Sequence, residues 1–521
     1  MSNPIDPWAI HKALRILILG NWPKAASSLA LLVLVILGLQ TWLRANPLIN
    51  VPVVGTGPRW SRRKQFLQGK ASQLYIQGYR QFKNSIFRIT TSKTKDTICV
   101  PPDFLPELRH LPDDVISFSS AINESMQVSY TTAGLDMPML VHVCRSSLTS
   151  ALGRLNASIL EEATEAMHIQ LPQSSEWSEV IINEKLLRII TIVSGRIFVG
   201  SNLCRDEGYI NTCIDYTKVL MAAVYAITMV PSFLRPFVAP WLPTTRALRK
   251  QFTKAEELLQ PLLVAHREAS EKGEYQDDMI QWILDSQQRF GTFSDHRLAI
   301  AQLDLSFAAI HTTSITLTNA FYWLAAKPEL IPVLRNDVQQ ASVHSQGQLT
   351  SPILQKMHKL DSFLKEVLRL TPITNSSYQR KVLKSFQLRN HQTVPRGVFI
   401  EVPTAGVYQD PDIFPDPEVF DALRYYKLRA AKEALSGSEA TEIIKQAQLV
   451  SVSPTHLTFG YGKHACPGRF FAVNEMKIIM ATLLRHYEIR LPDGVTERYP
   501  NLSLGAHSIP DPNRSLLIRR L

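Results

Sequence analysis

The fold is decided near the C-terminus, in "HLTFGYGKHACPGRFFAVNEMK", residues 456–477. Cys466 stands there among Gly460, Gly462 and Gly468, with Lys463, His464 and Arg469 alongside. The chain holds only 5 cysteines in 521 residues, the others being Cys99, Cys144, Cys204 and Cys213. No pair has the close spacing of a zinc knuckle or a redox dithiol. Glycines permit tight turns and let a backbone approach something flat or bulky. After Pro467 and Gly468 the run "RFFAVNEMKIIMATLLRHY" reads as a helix, so Cys466 precedes a helix N-terminus. Free N–H groups and the helix dipole favour a thiolate at such a place. His464 and Lys463 add positive potential. A sulfur so placed can be a nucleophile, a soft-metal ligand or a heme ligand, and the stretch alone leaves all three open.

Working outward, hydrophobic residues make up 45% of the chain, enough for a large core. The sparse, odd set of cysteines excludes a secreted disulfide scaffold, so the main domain is expected to face the cytosol. The net charge of +11 suits an anionic membrane surface or an acidic protein partner. No Lys/Arg run is dense enough to suggest nucleic acid. Residues 25–43, "AASSLALLVLVILGLQTWL", carry no charge and match the length of a membrane-spanning helix. Trp42, Leu43 and Arg44 stand where a cleaved signal would end in small residues. Arg44, Arg59, Arg62, Arg63 and Lys64 follow the span, against Lys12, Arg15 and Lys24 before it. That excess puts the C-terminal side in the cytosol. The expected organisation is a short tail at 1–24, a transmembrane anchor at 25–43, a Pro/Gly linker at 44–58 and one large domain at 59–521.

Within that domain helical patterns dominate. Ser294 can cap a helix that runs without Pro or Gly to Pro328, and Asp295 suits its first turn. It is apolar on most faces and should cross the middle of the domain. "MHKLDSFLKEVLRL" predicts a second helix, stopped by Pro372. "YQRKVL", "VFIEVPT" and "RSLLIRRL" read as strands. The fold class is mainly α with a minor β part.

Phe459, Gly462, His464, Cys466 and Gly468 together fill the heme-binding signature that this chain shares with the cytochrome P450 superfamily, which it therefore resembles. "EVLR" is similar to the family's Glu-x-x-Arg pair, at Glu366 and Arg369, and "PEVFDALRY" to the segment whose arginine, Arg424, completes a buried cluster. Ala422 stands where the family usually has proline. "AAIHTT", residues 308–313, is similar to the oxygen-activation motif, with Ala309 for its glycine and His311 for its acid. The resemblance covers essentially the whole chain.

It implies the cytochrome P450 fold, a single large domain behind one N-terminal transmembrane helix. It implies heme b with Cys466 as the axial iron ligand, and Phe459, Gly462 and Gly468 around it. His464 and Arg380 would meet the heme propionates, with His142 and Arg145 as further candidates because the usual Trp-x-x-x-Arg is replaced by "HVCR". Thr312 would order water for oxygen activation, and His311 is a candidate proton relay. Residues 118–123, 310–313, 374–378 and 503–508 would approach a lipophilic small-molecule substrate. Segment 229–243, "MVPSFLRPFVAPWLP", would dip into the membrane. The resemblance is to fungal monooxygenases of secondary metabolism, many acting on terpenoids. Having no flavin or dinucleotide motif of its own, the chain would take electrons from an NADPH-cytochrome P450 reductase, docked near Lys463 and Lys477. The location implied is single-pass in a membrane, the endoplasmic reticulum, with the catalytic domain cytosolic. Two alternatives stay in view: a non-redox heme-thiolate isomerase or dehydratase, for which a missing oxygen-activating threonine would be the clue, and, ranked last, a membrane-anchored binding protein without heme.

Overall fold

The computed structural model describes residues 27–33, 51–134, 137–343, 347–433 and 438–521. They belong to two compact units, Met1–Pro52 and Val53–Leu521. In the first, residues 27–33 are an exposed helix, and the rest of the expected anchor lies outside the described residues. The second unit begins inside the expected 44–58 linker. Val54 N donates to Arg88 O at 3.0 Å, so the end of that segment is part of the domain.

The elements that build the site are α1 (Ala71–Gln81), α2 (Phe118–Ser125), α3 (Pro138–Val143), α4 (Thr149–Gln170), α5 (Ile182–Phe198), α6 (Glu207–Met229), α7 (Pro243–Glu271), α8 (Asp295–Ala326), α9 (His358–Leu370) and α10 (Arg469–His486). The strands are β1 (Phe87–Ile89), β2 (Thr97–Cys99), β3 (Ile116–Ser117), β4 (Ser178–Ile181), β5 (Ser377–Val382), β6 (Phe399–Val402), β7 (Tyr487–Arg490), β8 (Asn501–Leu504), β9 (His507–Pro510) and β10 (Ser515–Arg520). They form a five-stranded sheet ordered β1-β2-β6-β5-β3, a three-stranded sheet ordered β4-β10-β7, and the hairpin β8-β9. The domain is mainly α, as the sequence predicts.

Helix α8 begins where Ser294 Oγ accepts from Arg297 N at 3.3 Å, a cap that contributes about 1 kcal/mol. At 32 residues it spans about 48 Å. Almost every residue from Leu298 to Ala325 is covered, because α5, α6, α7 and α9 pack around it. Among the described residues α8 alone is long and apolar enough to cross a membrane, and here it is the core helix of the domain. Helix α9 stops before Pro372, and α10 starts directly after Gly468 and is buried from Phe471 to Leu484 apart from Ala472 and Asn474. Thus α8 and the loop before α10 become opposite walls of one space.

Candidate active site

That space is a cavity of ≈ 530 Å³ with mostly aliphatic and aromatic walls. Loop 458–468 supplies Cys466, α8 supplies residues between Asp304 and Thr316, and α2, α3 and β5 close the sides. The loop's shape is local. Cys466 N donates to Phe459 O at 2.8 Å and Gly460 N to Leu457 O at 2.9 Å. Gly460 and Gly462 sit at φ 75° and 71°, the left-handed region that side chains resist. Gly468 also lines the cavity, and a Cβ built on it would meet nothing within 4 Å. That position faces open space.

Burial pushes the Cys466 thiol above its ordinary value, although the Gly468 and Arg469 N–H groups, Arg469 and Arg145 all pull it down. The helix terminus therefore favours the thiolate, and desolvation outweighs it. Among the described residues no group of three His, Cys, Asp or Glu could hold a metal ion. One sulfur would be the protein's ligand, as suits an iron whose other ligands come with a porphyrin.

Two arginines and a histidine gather at one rim. Arg380 is 4% exposed, lies over the Tyr378 ring at 4.0 Å and donates to Gln379 O at 2.8 Å. Among the described residues it has no carboxylate at ion-pair distance, and burial lowers its pKa. A buried guanidinium without an anion is costly, and a propionate in the cavity would supply one. Arg145 Nη2 donates to Lys463 O at 2.5 Å and also lines the cavity. His464 stacks on Phe118 at 5.1 Å and bonds Asp113 through Nε2 at 3.2 Å. The residues present therefore fit a heme: a lone thiol, open space beside it, and two arginines with a histidine at the rim.

Several expectations are corrected. His142 packs on Phe290 outside the cavity lining. Segment 503–508 does not line the cavity, because its hairpin pairs with 373–375, Ser508 N donating to Ile373 O at 3.0 Å. Lys477 cannot receive a partner: it is buried against Asp361 at 2.8 Å. Lys463 is paired with Asp113 at 2.8 Å.

Thr312 lines the cavity, its Oγ1 donating to Ala308 O at 2.7 Å, one turn back. His311 does not line it. Its ring lies on the α6 side of α8, bonded to the Ile214 backbone, with Nε2 buried and unpartnered. Burial, helped by Lys218, lowers its pKa to about 4, so it is neutral at ordinary pH and turned from the chemistry. The relay expected of His311 is not carried by this geometry. Asp113 and Arg109 had no sequence signal. Arg109 donates to Tyr461 Oη at 3.4 Å, so both reach the heme loop only through the fold.

The geometry matches the family comparison. Residues 139–517 match the cytochrome P450 family model. The chain belongs to the cytochrome P450 family and is a P450 monooxygenase, an oxidoreductase. It is 37% identical over 429 residues to cytochrome P450 monooxygenase ATR3 of Stachybotrys chlorohalonatus, covering 82% of this chain and 89% of that one. It is 33% identical over 490 residues to ent-kaurene oxidase P450-4 of Gibberella fujikuroi, covering 92% and 94%. The heme domain of cytochrome P450DA has the same fold, with a TM-score of 0.67 at 15% identity over 90% of this chain and 98% of that chain.

Proposed function

We propose that this chain inserts oxygen into a lipophilic small molecule of the terpenoid class, with electrons passed from NADPH by a separate cytochrome P450 reductase. The carrying observation is Cys466 lining an apolar cavity whose rim holds Arg380, which has no carboxylate at ion-pair distance among the described residues. Relatives named ent-kaurene oxidase support the terpenoid class. Bound through Cys466, heme b supplies the activation of dioxygen.

The chain's own residues do the rest. Arg380, Arg145 and His464 hold the two propionates. Phe459, Gly462 and Gly468 shape the loop that presents the sulfur. The apolar walls bind substrate and exclude water. Thr312 turns its hydroxyl from Ala308 O to hold a water and pass a proton. Residues 25–43 anchor the chain in the membrane with the domain cytosolic. Phe233, Phe237 and Trp241 of segment 229–243 are 72%, 74% and 69% exposed, which suits contact with lipid beside a substrate entrance.

The test is the absorption spectrum of the purified, reduced protein under carbon monoxide. A red-shifted Soret band is expected, and its loss in Cys466→Ser. A folded, active preparation without heme overturns the reading.

A further inference from the structure

Two helical turns before Thr312, about 12 Å along α8, Asp304 is 1% exposed and lines the heme-side cavity. It is the one acidic residue in that wall among the described residues. Both its oxygens are used. Oδ1 accepts from Tyr216 Oη at 2.7 Å, and Oδ2 accepts from Gly134 N at 2.7 Å. Burial nevertheless pushes its carboxyl up to about 6. A polar group held at that cost, with both partners on other segments, joins α8, α6 and the chain leading to α3.

A second cavity lies near the junction. Tyr216 is fully buried, and its ring packs between Phe307, centroids 6.5 Å apart, and Phe252, 5.9 Å apart. Phe307 lines the heme-side cavity. Phe252 lines a separate space of ≈ 420 Å³, together with Thr131, Thr132 and Thr245. Thr132 stands two residues before Gly134. Tyr216 therefore touches one lining residue of each cavity, and its partner Asp304 lines the heme-side one. The outer space already holds a buried, unpartnered hydroxyl, Oγ1 of Thr245, which is 1% exposed.

We propose that Asp304, Tyr216 and Gly134 form a hydrogen-bonded partition ending the heme-side cavity, and that Asp304 is the positioning residue that sets how long a molecule the cavity admits. The inference rests on the heme reading above. Removing the carboxylate leaves a buried hydroxyl and a buried N–H without an acceptor, so the three segments lose the reason to meet. The two spaces then join, and an elongated lipophilic molecule gains an outer chamber with a hydroxyl for its polar end.

The experiment uses the full-length heme-loaded protein and follows the Soret shift on titration with imidazole, phenylimidazole and ketoconazole. All three offer the same imidazole nitrogen to the iron and differ in length. In Asp304→Ala and Tyr216→Leu, ketoconazole should bind about tenfold tighter, while imidazole changes by less than about twofold. Asp304→Asn should stay at the wild-type values, because its amide can accept from Gly134 N and donate to Tyr216 Oη. Tyr216→Leu removes both the hydroxyl and the ring while keeping an apolar side chain, and decides the matter if Asp304→Ala does not fold. Equal changes for all three azoles, or unchanged ketoconazole binding, overturn the partition. No Soret shift with imidazole in the wild type overturns the heme reading instead.

Discussion

Arg369 holds Glu366 through two hydrogen bonds, Nε to Oε2 at 2.9 Å and Nη2 to Oε1 at 2.7 Å, with both side chains sealed from solvent. Arg424 adds a third side, Nε reaching Oε1 at 3.2 Å. Arg369 Nη1 also donates to the carbonyls of Tyr408 at 2.8 Å and Pro417 at 2.7 Å. The cluster thus fastens segment 408–424 to α9, upstream of the Cys466 loop. Arg369→Ala leaves the buried carboxylate only Arg424 and the Asp421 N–H, and takes a donor from two carbonyls, a loss of about 3 kcal/mol. Purified Arg369→Ala should carry little heme and melt earlier. Normal heme content with a normal melting temperature would show that the cluster does not support the loop.

The placement of Thr312 and His311 separates their roles. Thr312→Ala should lower the ratio of product to NADPH consumed, with heme content unchanged, by up to about 10²-fold for a positioned proton donor. His311→Asn should leave that ratio unchanged, since the ring packs toward Ile214 and Lys218. A fall in coupling with His311→Asn would restore the histidine to proton delivery.

Glu475 on α10 predicts a pH dependence of stability. It is fully buried, Oε1 accepting from Ser194 Oγ at 2.6 Å and Oε2 lacking a partner. Burial pushes its carboxyl from 4.5 up to about 8. A raised carboxyl binds its proton more tightly when folded. Its stabilising contribution is complete below the unfolded pKa and is lost as pH rises through the folded one. Over that window the fold loses on the order of 5 kcal/mol. Glu475→Gln should match wild type near pH 5 and melt higher near pH 9. Parallel melting curves across that range would refute the assignment.

Arg380→Leu should weaken heme retention without changing the thiolate ligand. The check is the rate of heme transfer to apomyoglobin, expected to rise about tenfold for the loss of one charge-assisted partner. The Soret position of the carbon monoxide form should stay red-shifted. A heme that leaves no faster would remove Arg380 from propionate binding.

Deleting residues 1–43 should leave part of the protein on membranes, held by the exposed aromatics of segment 229–243. Adding Phe233→Ser, Phe237→Ser and Trp241→Ser should release it into the high-speed supernatant. Equal sedimentation of the two variants would place the second contact elsewhere.

Much of this was open to reading along the chain. The Cys466 loop depends on glycines and a helix start within a dozen residues, and its hydrogen bonds are equally local. The capped α8 and the stop of α9 before Pro372 follow from propensity and sterics over one segment. The tertiary structure alone decided what lies against each side chain. His311 and Thr312 are neighbours, yet about 100° apart around α8, so packing gives one to α6 and the other to the cavity. Lys477 reads as a surface cation until Asp361 comes to meet it. Asp113, Arg109 and Tyr216 belong to no motif, and they bear on the site through partners far along the chain. Burial and pairing are sums over such distant contacts, and no spacing along the sequence encodes them.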